Sequence, residues 1–339
     1  MTAETRGDRA PATIKDVARM AQVSVTTVSH ALSAKRPVNA ETAARIKAAI
    51  EFTGYVPQSA ARNLQAGKAF MLGVVVPDVS DSFFGQLARG VERYADEHGY
   101  GVIISSASGT PERDGRYFDL LRSRSIDGLI YVAGDARRDS QLAALARTYP
   151  IVLADEWSPS LAGIPLVSAD QRLGGGLVGE HLRNLGHRDV AVITGPRGLR
   201  TTEDRLAGFL EMFPNALVVE GDFSEEVAYH RTGKLLAREP RPTAIFASND
   251  NAAFGVIDCI SDRGLRTPHD VSVVGFDDVS LARRITPSLT TVRQPIDEIG
   301  QLAARSLIQL LSGQDLAPVE PRPVELIVRN STGIPLSRS

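Results

Sequence analysis

The sequence predicts two structural parts, a small all-α unit near the amino terminus and a larger α/β core made of two doubly wound parallel-sheet subdomains. Residues 13 to 53 contain three short helical patterns and no strand-like run. From residue 72 onward, apolar runs of four to six residues alternate with helical stretches. Nearly continuous apolar strands separated by helices are typical of parallel sheets that are covered on both faces. At 339 residues the chain also exceeds the length that one hydrophobic core usually supports.

The all-α unit begins with two helices separated by a very short turn. Thr13 and Asp16 have the spacing of a capping box at the start of the first helix. The second helix follows the N-cap residue Ser24, and its inward face is predicted to contain Val25, Val28 and Leu32. A turn this short makes the two helices cross steeply, as in a helix-turn-helix unit. A third helix is expected from about Asn39 to Gly54.

Nine apolar runs are predicted as the strands of the core. They are Leu72–Val76, Val102–Ser105, Gly128–Val132, Ile151–Ala154, Leu166–Ala169, Val190–Ile193, Ala216–Val219, Ala244–Ala247 and Val271–Gly275. In open parallel sheets, ligands bind in a crevice at the carboxyl ends of the strands. The expected ligand cleft therefore lies where these strands end.

Charge is distributed unevenly between the two parts. Residues 1–68 hold ten Lys/Arg and five Asp/Glu, and the rest holds 28 and 35, so +5 and −7 give the net charge of −2. A basic segment on an acidic body suggests a module that binds a polyanion, although charge clusters are often only solvated faces.

Composition also excludes several classes of site. No run approaches a membrane span, and the first residues lack the apolar stretch of a secretory signal, so a cytoplasmic protein is expected. The single cysteine, Cys259, is interpreted as a buried structural thiol. The six histidines show no metal-ligand spacing, and neither a metal nor a cofactor is predicted.

One motif favours a different function. Gly174, Gly176 and Gly179 form a G-x-G-x-x-G pattern, as in nicotinamide-dependent oxidoreductases. Four residues separate the first glycine from its strand, however, and the next strand is not followed by the acidic residue that binds a ribose. We therefore interpret the glycines as small residues that let a helix pack closely. The chain is not predicted to be an enzyme.

Residues 13–32, TIKDVARMAQVSVTTVSHAL, closely resemble the helix-turn-helix of the LacI/GalR family of bacterial repressors. The resemblance extends over almost the whole chain through ordered, widely spaced motifs. These include ARNL (61–64), LGVVVPDVSDSFF (72–84), SIDGLI (125–130), NLGHRDVAVITGP (184–196), RLAGF (205–209), VVEGDF (218–223), RPTAIFASND (241–250), DVSVVGFDDV (270–279) and PSLTTVRQP (287–295).

This resemblance implies three regions and a function. The three regions are a helix-turn-helix DNA-binding domain at 13–58, a hinge helix or linker at 59–68, and an effector-binding and dimerisation domain of the periplasmic-binding-protein-like type at 69–335. The implied function is that of a transcriptional regulator, a homodimer on pseudo-palindromic operator DNA, whose operator affinity depends on a small polar effector such as a sugar. A transport protein that only binds sugar shares the core fold, but the amino-terminal unit argues against it.

The resemblance also assigns residues to the DNA interface. It places Val25, Thr26 and His30 at base-contacting positions and Ser24 and Ser29 nearer the phosphates; Thr13 and Thr27 complete the expected surface. In the family, a leucine of the hinge helix enters the minor groove, where unstacking a base step is repaid by bent DNA. Leu64 matches that leucine, with Ala61 beside it, although a plain linker is the alternative interpretation.

For the effector site, the resemblance implies apolar side chains around a ring and polar side chains that bind its substituents. The apolar residues are Phe83, Phe84 and Phe223. The polar residues are Asp155, Asp170, Arg205, Asn249 and Asp277. Carboxylates accept hydrogen bonds from hydroxyls, asparagine both donates and accepts, and arginine offers a rigid fork of donors. Trp157 is expected either to line this cleft or to pack in the core.

The chain departs from the family pattern at four positions in three places. Gln22 stands at a tight turn where many members have glycine, so some stability is expected to be lost there. Asp81 and Ser82 replace the Asn-Pro pair that often precedes the two phenylalanines in sugar-binding members. Leu199 stands where a purine-binding member carries an arginine that holds the base, which argues against a purine effector.

Overall fold

The computed structural model describes residues 12–33, 36–55, 68–107, 115–132 and 138–336. The chain divides into two compact units, one up to residue 69 and one from residue 70 onward. Each unit is described by itself below. No helix in these ranges has the length and apolarity that crossing a lipid bilayer requires.

The first unit consists of three helices, α1 (Ile14–Met20), α2 (Val25–Ser33) and α3 (Ala40–Thr53). Their starts are capped as the sequence predicts. The Asp16 carboxylate accepts from the Thr13 N–H at 2.9 Å, the Ser24 hydroxyl accepts from the Thr27 N–H at 3.0 Å, and Asn39 caps α3. The third helix ends at Gly54, which has a left-handed conformation with φ 65°.

The core of this unit is small. Its buried side chains are Val17, Ala18, Ala21, Val28, Ile46, Ala49 and Tyr55. The prediction for Val25 is wrong, because its side chain is 41% exposed and does not face inward. Val25 is the first residue of α2, one turn before Val28, and lies outside the apolar stripe that meets α1 and α3. Gln22, in the turn, has φ 53°, a conformation that costs a residue with a Cβ some stability.

The second unit contains two sheets. The first sheet has the order β2-β1-β3-β4-β5 and is parallel throughout. Its strands are β1 (Met71–Val76), β2 (Gly101–Ser106), β3 (Gly128–Tyr131), β4 (Ile151–Ala154) and β5 (Leu166–Val167). All five were predicted, with ends that differ by one or two residues.

The second sheet has the order β11-β10-β9-β8-β6-β7. Its strands are β6 (Val190–Thr194), β7 (Leu217–Glu220), β8 (Ala244–Ala247), β9 (Ser272–Asp277), β10 (Thr290–Arg293) and β11 (Glu325–Ile327). The sequence did not predict β10 or β11. Both are short and carry threonine, arginine or glutamate in place of an apolar run, and β11 is antiparallel to β10.

Helices cover both sheets. They are α4 (Ser82–Glu97), α5 (Arg116–Arg122), α6 (Asp139–Ala146), α7 (Gln171–Asn184), α8 (Arg200–Met212), α9 (Glu225–Leu236), α10 (Asp250–Asp262) and α11 (Ile296–Leu311). Although α11 follows a strand of the second sheet, it packs against α4 of the first. A Cβ on Gly90 would lie 2.1 Å from the Asp297 carbonyl oxygen, and one on Gly300 would lie 2.2 Å from that of Leu87. The chain therefore crosses between the two subdomains more than once.

The glycines of the G-x-G-x-x-G pattern lie inside α7. A Cβ on Gly174 would meet the ring of Phe276 at 2.5 Å, and one on Gly179 would meet Met212 at 2.8 Å. Gly174 and Gly179 therefore allow close packing of α7 against the second sheet and α8, which confirms the structural interpretation for these two glycines. A Cβ on Gly176 would lie 3.8 Å from the Gly208 carbonyl oxygen, an ordinary contact. Cys259 is a buried free thiol in α10, also as predicted.

Candidate functional site

A cavity of about 610 Å³ lies between the two subdomains of the second unit. We call it the cleft. Its first wall comes from the ends of β1, β3 and β4 and the start of α4. Its second wall comes from the ends of β6 to β9 and the start of α8. The cleft thus lies at the carboxyl ends of parallel strands, where the sequence predicted it.

Seven of the eight predicted effector residues line this cleft. They are Phe83, Phe84 and Asp155 on the first wall, and Arg205, Phe223, Asn249 and Asp277 on the second. Asp170 is not among the lining residues. Its carboxylate instead caps α7, where it accepts from the Leu173 N–H at 2.9 Å.

Arg205 is the central cation of the cleft and is only 4% exposed. Its Nε donates to Gln171 at 2.8 Å, and a terminal nitrogen donates to the carbonyl of Ser248 at 2.5 Å. Its guanidinium carbon lies 4.0 Å from the centre of the Phe276 ring. These contacts fix the orientation of the guanidinium before any ligand arrives. A fixed donor discriminates between ligands more sharply than a mobile one.

Asp277 lies 3.7 Å from a terminal nitrogen of Arg205 and accepts from the Gln294 amide at 2.7 Å. The residue is buried, and burial raises the pKa of its carboxyl well above the ordinary value, against the opposing effect of Arg205. Its φ is 115°, a strained value for a residue with a Cβ. Strain of this kind at the end of a strand is typical of a functional site.

Asp155 is a second acidic group on the opposite wall. Burial raises its pKa from 3.8 to about 7, and the charges of Glu156 and Asp81 add to this, while Arg205 lowers it. Within the described part of the chain, the one hydrogen bond that its carboxylate accepts is long, 3.4 Å from the Gln171 amide. An acceptor so weakly satisfied and facing a cavity is suited to the hydroxyl groups of a ligand.

The apolar and amide groups complete the two walls. Phe83 and Phe84 pack edge to face, with ring centres 5.1 Å apart. Asn249 caps α10 by accepting from the Ala252 N–H, and its amide donates to the Phe223 carbonyl at 3.1 Å. Phe223, like Asp155 and Asp277, has a positive φ, here 72°.

Several polar residues at the cleft were missed by sequence reasoning. Gln171 accepts from Arg205 and donates to Asp155, and Gln294 donates to Asp277. The Gln171 amide also donates to the Gln294 side-chain oxygen at 3.0 Å. Others that line the cleft include Glu156, Thr201 and Asn251. Each is near a residue that was predicted, but a glutamine or threonine beside a strand end carries no signal of its own. Trp157 is not a lining residue; it packs against the first subdomain core, and the Arg200 guanidinium lies 5.7 Å from its ring.

In the first unit, α2 presents a surface that fits the predicted DNA contacts. Thr13, Ser24, Val25, Thr26 and Ser29 are exposed. Thr27 and His30 are half-buried, and the Thr27 and Ser24 hydroxyls lie 2.8 Å apart. Ala61 and Leu64 lie outside the described residues, so their predicted roles stay predictions. Across the described ranges, no three His, Cys, Asp or Glu side chains are grouped to hold a metal ion.

Comparison with known proteins gives two family matches. Residues 13–58 match the lacI family of bacterial regulatory proteins, and residues 180–332 match the periplasmic binding protein-like domain. The ribose operon repressor of Escherichia coli K12 is 34% identical over 309 residues, which cover 89% of this chain and 93% of that protein. The HTH-type transcriptional repressor PurR of Salmonella paratyphi B is 34% identical over 93% of this chain and 96% of that protein.

Solved structures give the same assignment. The lac repressor dimer bound to operator and an anti-inducer is 29% identical, with a TM-score of 0.84 over 96% of this chain and all of that one. A LacI family regulator from Enterococcus faecium with bound ribose is 27% identical, with a TM-score of 0.70 over 78% of this chain and 99% of that one. The relatives are transcriptional repressors and not enzymes. The chain therefore belongs to the lacI family of bacterial regulatory proteins and is a DNA-binding transcriptional regulator.

Proposed function

We propose that this regulator is a homodimeric repressor in the cytoplasm whose affinity for operator DNA is set by a small hydroxylated effector in the cleft. In this proposal, residues 13–58 bind the operator and residues 59–68 form the hinge. Residues 69–335 bind the effector and form the dimer. One observation carries the effector half of the proposal: both walls of the cleft direct polar side chains into one cavity of about 610 Å³.

The DNA half depends on α2. Its exposed face carries short polar side chains and Val25, which suit hydrogen bonds and methyl contacts at base edges in the major groove. The excess of basic residues over residues 1–68 supplies the phosphate attraction that positions such a helix without selecting sequence. A single unit contacts half of a pseudo-palindromic operator, which is why a dimer is proposed.

The chemistry of the cleft supports a sugar-like effector. Aromatic rings on both walls match the apolar faces of a sugar ring, while Asp155, Asp277 and Asn249 match its hydroxyls. Relatives with related cores have been solved with such ligands, namely ribose and, in the regulator CelR, cellobiose. A ligand that contacts both walls changes the balance between core conformations only by its differential affinity for them.

The test is an effector titration of operator binding. A thermal-shift screen of sugars, polyols, nucleosides and bases identifies the compound that stabilises the wild-type chain. Asp277→Asn preserves the shape of the side chain but replaces the carboxyl group beside Arg205 with an amide, which changes the hydrogen bonds that the side chain offers to a ligand. We expect it to weaken effector binding by about tenfold or more and to shift the midpoint of the operator response equally.

Asp119→Asn is the matched control, because Asp119 is exposed on α5 and does not line the cleft. It should leave the midpoint unchanged. Identical midpoints in wild type and Asp277→Asn would contradict the proposed effector site.

A further inference from the structure

The two walls of the cleft are joined by a buried carboxylate. Glu156 follows β4 on the first wall, and it accepts from the beginning of α8 on the second. One carboxylate oxygen accepts from the Arg200 N–H at 2.8 Å, and the other accepts from the Thr201 hydroxyl at 2.6 Å. The Thr201 N–H lies 3.3 Å from the second oxygen. Glu156 is 4% exposed.

These contacts complete the start of α8, which its own sequence leaves uncapped. The N-cap residue of α8 is Leu199, whose side chain has no acceptor. The first N–H groups of a helix have no partner within it and carry the positive end of the helix dipole, so they attract an anion. Here that anion is a side chain of the opposite subdomain, and it lies at the edge of the ligand cavity.

The other ionisable side chains of the cleft also offer little to an anion. Among the described residues that line it, seven are acidic and one, Arg205, is basic. Four of the acidic residues lie on the first wall (Asp78, Asp81, Asp155 and Glu156) and three on the second. Arg205 already interacts with Asp277, Gln171 and the Ser248 carbonyl. It is therefore poorly placed to neutralise a phosphate or carboxylate as well.

We propose that Glu156 is a specificity-determining residue. Among the helix starts in the described lining of the cleft, α4, α9 and α10 are capped by their own N-cap side chains, whereas Glu156 occupies the start of α8, where an anionic group of a ligand would otherwise bind. The cleft then selects effectors without phosphate or carboxylate groups. It binds a sugar in its free form and rejects the phosphate ester. This inference rests on the proposed function, because it concerns the same cleft, but it names a narrower class of ligand.

The test compares three full-length proteins: wild type, Glu156→Ala and Glu225→Ala. Glu156→Ala vacates the start of α8. Glu225→Ala also removes one negative charge from the lining of the cleft, and no hydrogen bond of the Glu225 side chain appears among the described contacts. Inorganic phosphate is titrated into each protein at constant ionic strength, and binding is followed by calorimetry and thermal shift.

We expect phosphate to bind Glu156→Ala saturably and about tenfold or more tightly than either other protein. Equal phosphate binding by Glu156→Ala and Glu225→Ala would overturn the proposal, since general charge relief would then explain the effect. If Glu156→Ala does not fold, Glu156→Ser, whose side chain is too short to fill the position of the Glu156 carboxylate, replaces it. The same gain relative to Glu225→Ala is then required.

A second measurement needs no variant. Wild type is titrated with matched pairs, ribose against ribose 5-phosphate and glucose against glucose 6-phosphate. Tighter binding of either phosphate ester overturns the proposal. Failure of the proposed function gives a different result from failure of this inference. Asp277→Asn would then bind every ligand as the wild type does, whichever member of each sugar and phosphate-ester pair binds more tightly.

Discussion

The three-helix unit and the cleft, which we propose bind operator DNA and the effector, are built in different ways. The proposed DNA-binding surface of the first unit comes from one short stretch of chain, with α2 presenting side chains on a core that contains seven buried residues among those the structure describes. The cleft takes its groups from positions as far apart as Phe83 and Asp277, and it holds them buried, strained and hydrogen-bonded. Local surfaces of this kind depend on the stability of a small fold, whereas the cleft depends on the exact relation of two large subdomains.

The largest expected effect comes from deleting the first unit, which should abolish specific operator binding without affecting effector binding. A chain that lacks residues 1–68 should lose specific operator binding, by about 10³-fold or more, because the basic residues and α2 are both removed. Effector binding by the remaining core should be unchanged. Operator binding is measured by anisotropy and effector binding by calorimetry; specific binding by the shortened chain would disprove the division of roles.

The second prediction concerns the small core. Val28 is fully buried and Val25 is 41% exposed on the same helix. Val28→Ala should lower the free energy of unfolding of the first unit by about 1 to 3 kcal/mol. The same substitution at Val25 should change it by no more than about 0.5 kcal/mol.

Hydrogen exchange of α1 to α3 measures both effects. The fluorescence of Trp157, the only tryptophan, reports separately on the second unit and should be the same in both variants. Equal exchange in Val25→Ala and Val28→Ala would contradict the assigned core.

The third prediction concerns the cleft, where function and stability oppose each other. The pKa of Asp155 is raised from 3.8 to about 7, so the folded state binds more protons than the unfolded state between these values. Asp155 therefore destabilises the ligand-free fold progressively as pH rises through this window. Asp155→Asn should stabilise the second unit by about 1 to 2 kcal/mol at pH above 7.

That gain should diminish as pH falls towards 4, because the wild-type carboxyl is then protonated in the folded state and carries no buried charge. Urea unfolding followed by Trp157 fluorescence at several pH values provides the measurement. A gain that is independent of pH would show that the charge of Asp155 is not the cause.

The smallest expected effect is at the turn of the first unit. Gln22 has φ 53°, which glycine adopts without strain. Gln22→Gly should stabilise the unit by about 1 kcal/mol or less, since the added chain entropy of glycine opposes the relief. Gln22→Asn should give a smaller gain in the same exchange experiment, and a loss of stability in both variants would contradict the strain assigned to this turn.

Local signals in the sequence predicted more of the fold than of the cleft. Capping residues such as Thr13, Ser24 and Asn39 are recognisable because a cap involves neighbours in the chain. The strands β10 and β11 were missed because long-range pairing, of β10 with β9 and of β11 with β10, replaces apolar periodicity as the reason they form. Glu156 was missed for the same reason, since its partners on α8 are more than forty residues away. Asp170 was misplaced because an aspartate after a strand serves equally as a helix cap.

The central claim is that the cleft and the DNA-binding unit share one conformational equilibrium. It is tested most directly by measuring the affinity of the identified effector for the wild-type chain, free and saturated with operator DNA. Binding linkage requires operator to change effector affinity by the same factor by which effector changes operator affinity. We predict that these two factors are equal and differ from one. An effector affinity that is the same with and without operator would contradict the account.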